Sequence, residues 1–226
     1  IPRSLAPALA ALFVLGGFQG VLGWWMVSSG LTERGDVSQD RLAAHLGAAA
    51  LLLSALIYVV RLITPLSGLK PAGRAWYWSI WLLAGLVFAQ LLMGAFVAGL
   101  DAGYGYNTWP LMEGRWVPHG LWSHEPVWLN LFENTLTVQF VHRILAYAIA
   151  VYALTLLWVG WRADRFEGQH QWLPLIGVLL LAQIILGIAT LLLVVPIPLA
   201  IGHQALAFML LAACVAYAAD MRLTVI

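Results

Sequence analysis

Six stretches of this chain, near 8–30, 42–63, 76–99, 131–160, 172–195 and 200–220, are each long and apolar enough to cross a bilayer. A helical span needs about 20 mostly apolar residues to cover the hydrocarbon. Six such runs in 226 residues leave little room for anything else, so lipid is the solvent to which the fold must answer. Composition agrees: 62% of residues are hydrophobic and only 9% charged, a balance that the surface of a water-exposed domain of this size would not tolerate. The expected fold class is all-α integral membrane, with six helices.

The net charge of +1 is spread over short loops rather than gathered in a patch, which removes nucleic acid from the expected partners. The same charges orient the chain, because short cytoplasmic loops are enriched in Lys and Arg. Arg3, Arg61, Lys70, Arg74, Arg162, Arg165 and Arg222 fall on one side, while only Arg34, Arg41 and Arg115 fall on the other. Both visible termini are therefore expected in the cytoplasm, and the segment from Asp101 to about Asn130 in an outer space such as the periplasm. Ile1-Pro2-Arg3 leads straight into a full-length span, unlike a cleavable signal peptide, and without an initiator Met the chain reads as a piece of a longer one. Cys214 lies inside the last apolar run with no cysteine to pair with, and is read as small core filler.

The spans repeat. Gln, three residues and Gly recur at Gln19 to Gly23, Gln90 to Gly94 and Gln183 to Gly187, each on an odd-numbered span. A buried Gln can bond across helices, and a Gly one turn later lets a neighbouring backbone come close. The even-numbered spans each carry a histidine in their outer half: His45, His142 and His203. The first and last pairs resemble one another more than the middle pair, in which His142 sits deeper and is followed by Arg143. An order B, A, B is half a repeat short. We therefore expect an eight-span parent of two pseudo-symmetric four-helix bundles, with residues 1–70 supplying half of the first and residues 71–226 the complete second.

A histidine in hydrocarbon is costly, and when present usually faces the bundle interior with a partner. Each of the three could simply bond a carbonyl or a Gln across the bundle. Together they suit haem, since imidazoles from facing helices can occupy both axial positions of one iron. His142 and His203 form the expected pair, and His45 is expected to be a ligand whose partner lies in the absent helices. Zinc would want three or four close ligands, and no Cys or carboxylate cluster accompanies these helices. Gly47, Ala48, Gly202 and Ala205 could clear space for a porphyrin, although ordinary small-residue packing would also place them there. Arg143, read as the only basic residue inside a span, needs a counter-group: haem propionates, or a salt bridge to Glu133. Glu133 is expected to cap the outer end of the fourth span, with proton handling beside a haem as the alternative. His119, His124 and His170 fall in loops.

The long outer loop is aromatic and glycine-rich: Ala98-Gly99-Leu100-Asp101-Ala102-Gly103, then Tyr106-Asn107-Thr108-Trp109-Pro110-Leu111-Met112 and Trp116-Val117-Pro118. With Phe132-Glu133-Asn134-Thr135 and Val138-Gln139-Phe140 leading to His142-Arg143, it resembles the haem A synthase family of bacterial inner membranes and mitochondria, in its cysteine-free branch. The resemblance runs over nearly the whole chain. It implies an eight-span oxidoreductase that converts haem O to haem A by oxidising a ring methyl to a formyl group, for terminal oxidase assembly. It implies haem b bound by His142 and His203, with Arg143 and Gln139 beside it, and His45 as ligand of the substrate haem. The family's catalytic Glu belongs to a helix outside this chain; its counterpart here is Gln139, which exchanges no protons. A haem O synthase and an electron donor are implied partners, with membrane lipid around the protein and a homo-oligomer as a possible assembly. The rival readings are a cytochrome b type electron carrier or haem-delivery protein, and a transporter, against which the outer position of all three histidines counts.

Overall fold

A computed structural model describes residues 5–31, 36–65, 73–163 and 171–222 of the chain. The expectations placed on Arg3, Arg34, Lys70, Arg165 and His170, and the unit boundary at 70–71, lie outside the described residues. Backbone in hydrocarbon must satisfy its own hydrogen bonds, and a helix does so within one segment. The long helices are α1 (Ala6–Gly30), α2 (Gln39–Ile63), α3 (Arg74–Gly99), α5 (Thr135–Arg162), α6 (Trp172–Leu192) and α7 (Ile197–Met221), with the single turn α4 (Asn130–Glu133) before α5. All six long helices are apolar enough to span a membrane, and the chain is a multi-pass membrane protein.

The fourth span begins later than its apolar pattern suggests. Asn134 has an extended backbone (φ −89°, ψ 107°) that breaks the helix, and its side chain accepts the N–H groups of Leu136 and Thr137. Asparagine is a strong N-cap because a short side-chain acceptor reaches these otherwise unpaired donors. Glu133 therefore does not cap the span. It ends α4, and its Oε2 accepts the side-chain amide of Gln39 at 2.8 Å, joining α4 to the start of α2.

Helices α3, α5, α6 and α7 pack in a ring, so that α5 and α7 stand diagonally opposite each other; α2 lies against α3 and α7, and α1 against α2. The main core sits inside this ring, where Ile80, Leu83, Val87, Ile149, Leu156, Ile176 and Cys214 are buried. Ala84, Ala153, Ala213 and Ala218 are buried among them, and small residues at such seams let helices approach where lipid supplies no hydrophobic force between them.

The two faces differ. The long segment between α3 and α5 covers one of them, here termed the loop face. At the other, Arg61 forms a two-pronged ion pair with Asp220, both contacts at 2.9 Å, and Trp172 Nε1 donates to the same carboxylate at 2.9 Å. Arg61 lies in the last turn of α2 rather than in a loop, and Asp220 is buried near the end of α7. Arg143 is accordingly not the only helical arginine.

Candidate functional site

His45, His142 and His203 lie six or seven residues into α2, α5 and α7, measured from the loop face. With a rise of about 1.5 Å per residue, each sits about one and a half to two turns below the helix start. The Gln and Gly of each preceding span, expected to bond across helices and to allow close approach, meet these histidines directly. A methyl placed on Gly23 would lie 3.4 Å from His45 Cε1, one on Gly94 3.5 Å from His142 Cε1, and one on Gly187 only 2.7 Å from His203 Cε1. Each glycine is the notch into which the imidazole of the partner helix fits.

The glutamines stand one turn away from these notches. Gln90 Nε2 donates to the backbone carbonyl of His142 at 3.0 Å and lies 3.1 Å from each of the two ring nitrogens. Equal distances put the amide across the ring rather than in line with either lone pair. Gln183 Nε2 is 3.5 Å from His203 Nε2. Oε1 of Gln19, Gln90 and Gln183 is buried and unbonded in all three pairs, and so is Nδ1 of His45 and of His203 in the first and last. Buried polar atoms in a folded protein are nearly always satisfied, and a set of exceptions with one pattern marks a place built for a further group.

Gly47 and Gly202 do other work. A methyl on Gly47 would meet Leu92 at 2.7 Å, and one on Gly202 would meet Leu186 at 3.2 Å, so both serve close helix packing rather than clearing a slot.

Arg143 and Gln139 point toward the loop. The Arg143 guanidinium donates to the carbonyls of Thr108 (2.7 Å) and Tyr106 (2.6 Å) and to Gln139 Oε1 (3.2 Å), while its Nε is buried without a partner. The salt bridge to Glu133 does not form, since Glu133 is engaged by Gln39 and the arginine by loop carbonyls. Gln139 is 2% exposed and donates to the carbonyls of Ala102 (2.9 Å) and Tyr106 (3.3 Å). Together the two residues pin the segment 102–108 over α5. The same segment is held to the turn between α6 and α7, because Asn107 donates to Leu191 O at 3.0 Å and Gly103 leaves no space for a side chain against Val195.

Asn107 and Asn134 stand in the motifs read from sequence but without an assigned role, and Asn130 is not singled out there. Asn130 is fully buried and accepts the backbone N–H of His124 while donating to the carbonyls of His124 and Val127. The Asn-rich spacing around the short α4 was the available signal. His119 contacts Arg115 in the outer segment, away from the spans.

What this arrangement can hold follows from its donors. No cluster of three or more His, Cys, Asp or Glu with metal-binding placement occurs among the described residues. The donor set is single imidazoles on separate helices, with His142 and His203 on the two helices that face each other across the ring. Imidazoles so placed could serve as the two ligands of one haem iron, and the unbonded glutamine Oε1 atoms beside them are polar groups that a further ligand could satisfy.

A model of the cytochrome oxidase assembly protein family matches residues 1–215. Among curated proteins, one named heme A synthase from Chelativorans sp. (strain BNC1) is 47% identical over 211 residues, covering 93% of this chain and 58% of that protein. Another of that name, from Rhodospirillum centenum, is 50% identical over 208 residues, covering 90% and 55%. A third, from Parvibaculum lavamentivorans, is 49% identical over 216 residues, covering 91% and 58%. The chain thus spans little more than half the length of these relatives.

Proposed function

We propose, starting from the premise that this chain belongs to the cytochrome oxidase assembly protein family, that it is part of a haem A synthase. In this reading His142 and His203 hold a resident haem b, and His45 binds haem O, whose ring methyl is oxidised to the formyl group of haem A. The observation that carries it is the threefold recurrence of a histidine seated in a glycine notch beside a glutamine whose carbonyl oxygen is unbonded.

The resident haem, when bound, supplies one-electron transfer. The chain's own residues do the rest. His142 and His203, on helices that stand opposite each other in the ring, would hold the haem through their imidazoles. Gly94 and Gly187 seat the two imidazoles against the neighbouring helices and fix their positions. Arg143 and Gln139, by fastening the loop across the mouth of the bundle, exclude water from that site, which strengthens the electrostatic interactions inside.

The remaining assignments belong to the same reading. Residues 71–226 form the complete bundle and residues 1–70 half of its pseudo-symmetric counterpart in an eight-span parent. The protein resides in a bacterial inner membrane with its loop face toward the periplasm and its visible termini in the cytoplasm. A haem O synthase supplies substrate, and an electron donor serves the resident haem, with lipid around the protein.

Extracted pigment and optical spectra of the purified full-length protein test this. The expected result is haem A or its hydroxylated precursor beside haem b. His142→Ala and His203→Ala each abolish the low-spin haem b bands, and His45→Ala keeps those bands but yields no haem A. Haem b alone, in wild type and His45→Ala alike, would instead identify an electron carrier or haem-delivery protein.

A further inference from the structure

Opposite the loop face, where α3 begins and α7 ends, lies a cavity of about 350 Å³ lined by Arg74, Tyr77, Trp78 and Arg222. It is remote from the three histidines, which stand near the loop face. Among the described residues its lining is half cationic and half aromatic, with no acid.

Carbonyls hold one of the two cations in place. The Arg222 guanidinium donates to Ala219 O at 2.6 Å and lies 3.4 Å from the carbonyl oxygens of Arg61 and Leu62. Such bonds orient a guanidinium without neutralising it. The nearby carboxylate of Asp220 is engaged by Arg61 and Trp172. Arg74, the first residue of α3, forms neither an ion pair nor a side-chain hydrogen bond among the described residues. Two like charges thus share one cavity without a counter-charge, and an anion placed there would relieve their repulsion.

The aromatic half of the lining decides which anion. Tyr77 and Trp78 follow Arg74 by three and four positions, so all three stand on one stretch of the helix surface. The two rings meet edge-on with centroids 5.2 Å apart, and Trp78 is 64% exposed. Aromatic rings so placed at the end of a span belong at the headgroup level, where an apolar body meets acyl chain and a polar tip meets water. A bare inorganic anion would use the arginines alone, whereas a phospholipid uses both halves.

We propose that this cavity binds the phosphodiester headgroup of an anionic phospholipid, with the phosphate between Arg74 and Arg222 and the glycerol and first acyl carbons along Tyr77 and Trp78. Arginine suits the task because its fork of N–H donors matches phosphate oxygens. A zwitterionic headgroup brings a cation that no carboxylate in the lining receives, so lipids of net negative charge are selected. Since Arg222 also reaches the last carbonyls of α2, bound lipid fastens the ends of α2, α3 and α7 together.

The test is native mass spectrometry and thermal melting of the full-length protein in neutral detergent, with phosphatidylglycerol, phosphatidylcholine or inorganic phosphate added. The expected result is retained phosphatidylglycerol and a raised melting temperature that high salt reduces, with neither effect from phosphatidylcholine or inorganic phosphate. Arg74→Gln, which breaks no contact within the described protein, is expected to weaken phosphatidylglycerol binding about fivefold, the contribution of one cation beside an anionic headgroup. Arg162→Gln, which removes a cation from the last turn of α5 and outside the cavity, should leave that binding unchanged. Undiminished binding in Arg74→Gln, an equal loss in Arg162→Gln, or equal binding of phosphatidylcholine overturns the proposal. Stabilisation by inorganic phosphate as large as that by lipid would show a free-anion site and overturn it as well.

Discussion

Between α1 and α2, a methyl on Gly23 would lie 3.4 Å from the His45 ring, and α1 as a whole buries only Ser29; between α6 and α7, one on Gly187 would lie 2.7 Å from the His203 ring, and α7 buries every residue from Ala213 to Met221. The two pairs share a sequence signature and the same unpaired atoms, yet one is clamped and the other open. The notch is thus a property of two helices alone, formed whether or not further helices close around it. Tightness comes from the neighbours: α7 is pressed by α3, α6 and α2, whereas among the described residues the main packing of α1 is on α2.

The bond that ties the open pair to the closed one is the most sensitive point of this comparison. Asp220 is buried and meets both Arg61 of α2 and Trp172 of α6. Removing one partner of such a pair strands the other, at a cost of about 3 kcal/mol. Asp220→Ala is expected to lower the unfolding temperature in detergent markedly, and Asp220→Asn, which keeps a hydrogen-bond acceptor, by less. Equal melting of wild type and Asp220→Ala would show that α2 is held by packing alone.

Glycine substitution probes the notches directly. Gly187→Ala forces the His203 ring to move, at about 1–3 kcal/mol as for other overpacked sites, with a matching drop in bound haem. Gly23→Ala meets an ordinary contact distance and gains helix propensity of about 0.5–1 kcal/mol, so its stability should be unchanged or higher. Paired thermal melts and haem-to-protein ratios read this contrast. The same loss at both positions would remove the distinction between clamped and open pairs.

The smallest effect belongs to the turn beside the closed pair. Val194 and Val195 have φ of 60° and 55°, and Val194 is half exposed. A β-branched residue in the left-handed region costs about 1–2 kcal/mol, so Val194→Gly should stabilise by roughly 0.5 kcal/mol after the extra entropy of glycine, seen as a small rise in melting temperature. Val195→Gly would forfeit the contact with Gly103 and should gain nothing.

The six spans were legible because lipid imposes one rule on a whole segment, and Leu, Ala, Val and Ile runs obey it wherever they pack. The histidines and the Gln-to-Gly spacing were legible too, as polar or tiny residues in the wrong solvent. That Gly187 faces His203 and Gly94 faces His142 was not, since it depends on the rotation of one helix against another, which apolar patterning leaves open when both faces are greasy. The pairing of Asp220 with Arg61 escaped for the same reason: Arg61 reads as a loop residue from sequence, and only the packing of α2 on α7 brings the two together. The break at Asn134 overrode an apolar pattern through local chemistry, a side-chain acceptor competing for two backbone donors. Of the two counter-groups expected for Arg143, Glu133 lies about three turns away and is engaged by Gln39, and the arginine donates to loop carbonyls instead.

The notches also act as vertical stops. A slide of one residue turns a helix by about 100° and moves it 1.5 Å, carrying the missing side chain of Gly23, Gly94 or Gly187 away from the ring it admits. Helices in a uniform oil have little else to tell them how high to stand, and here the same empty space that receives each imidazole sets all three at a common level beneath the surface.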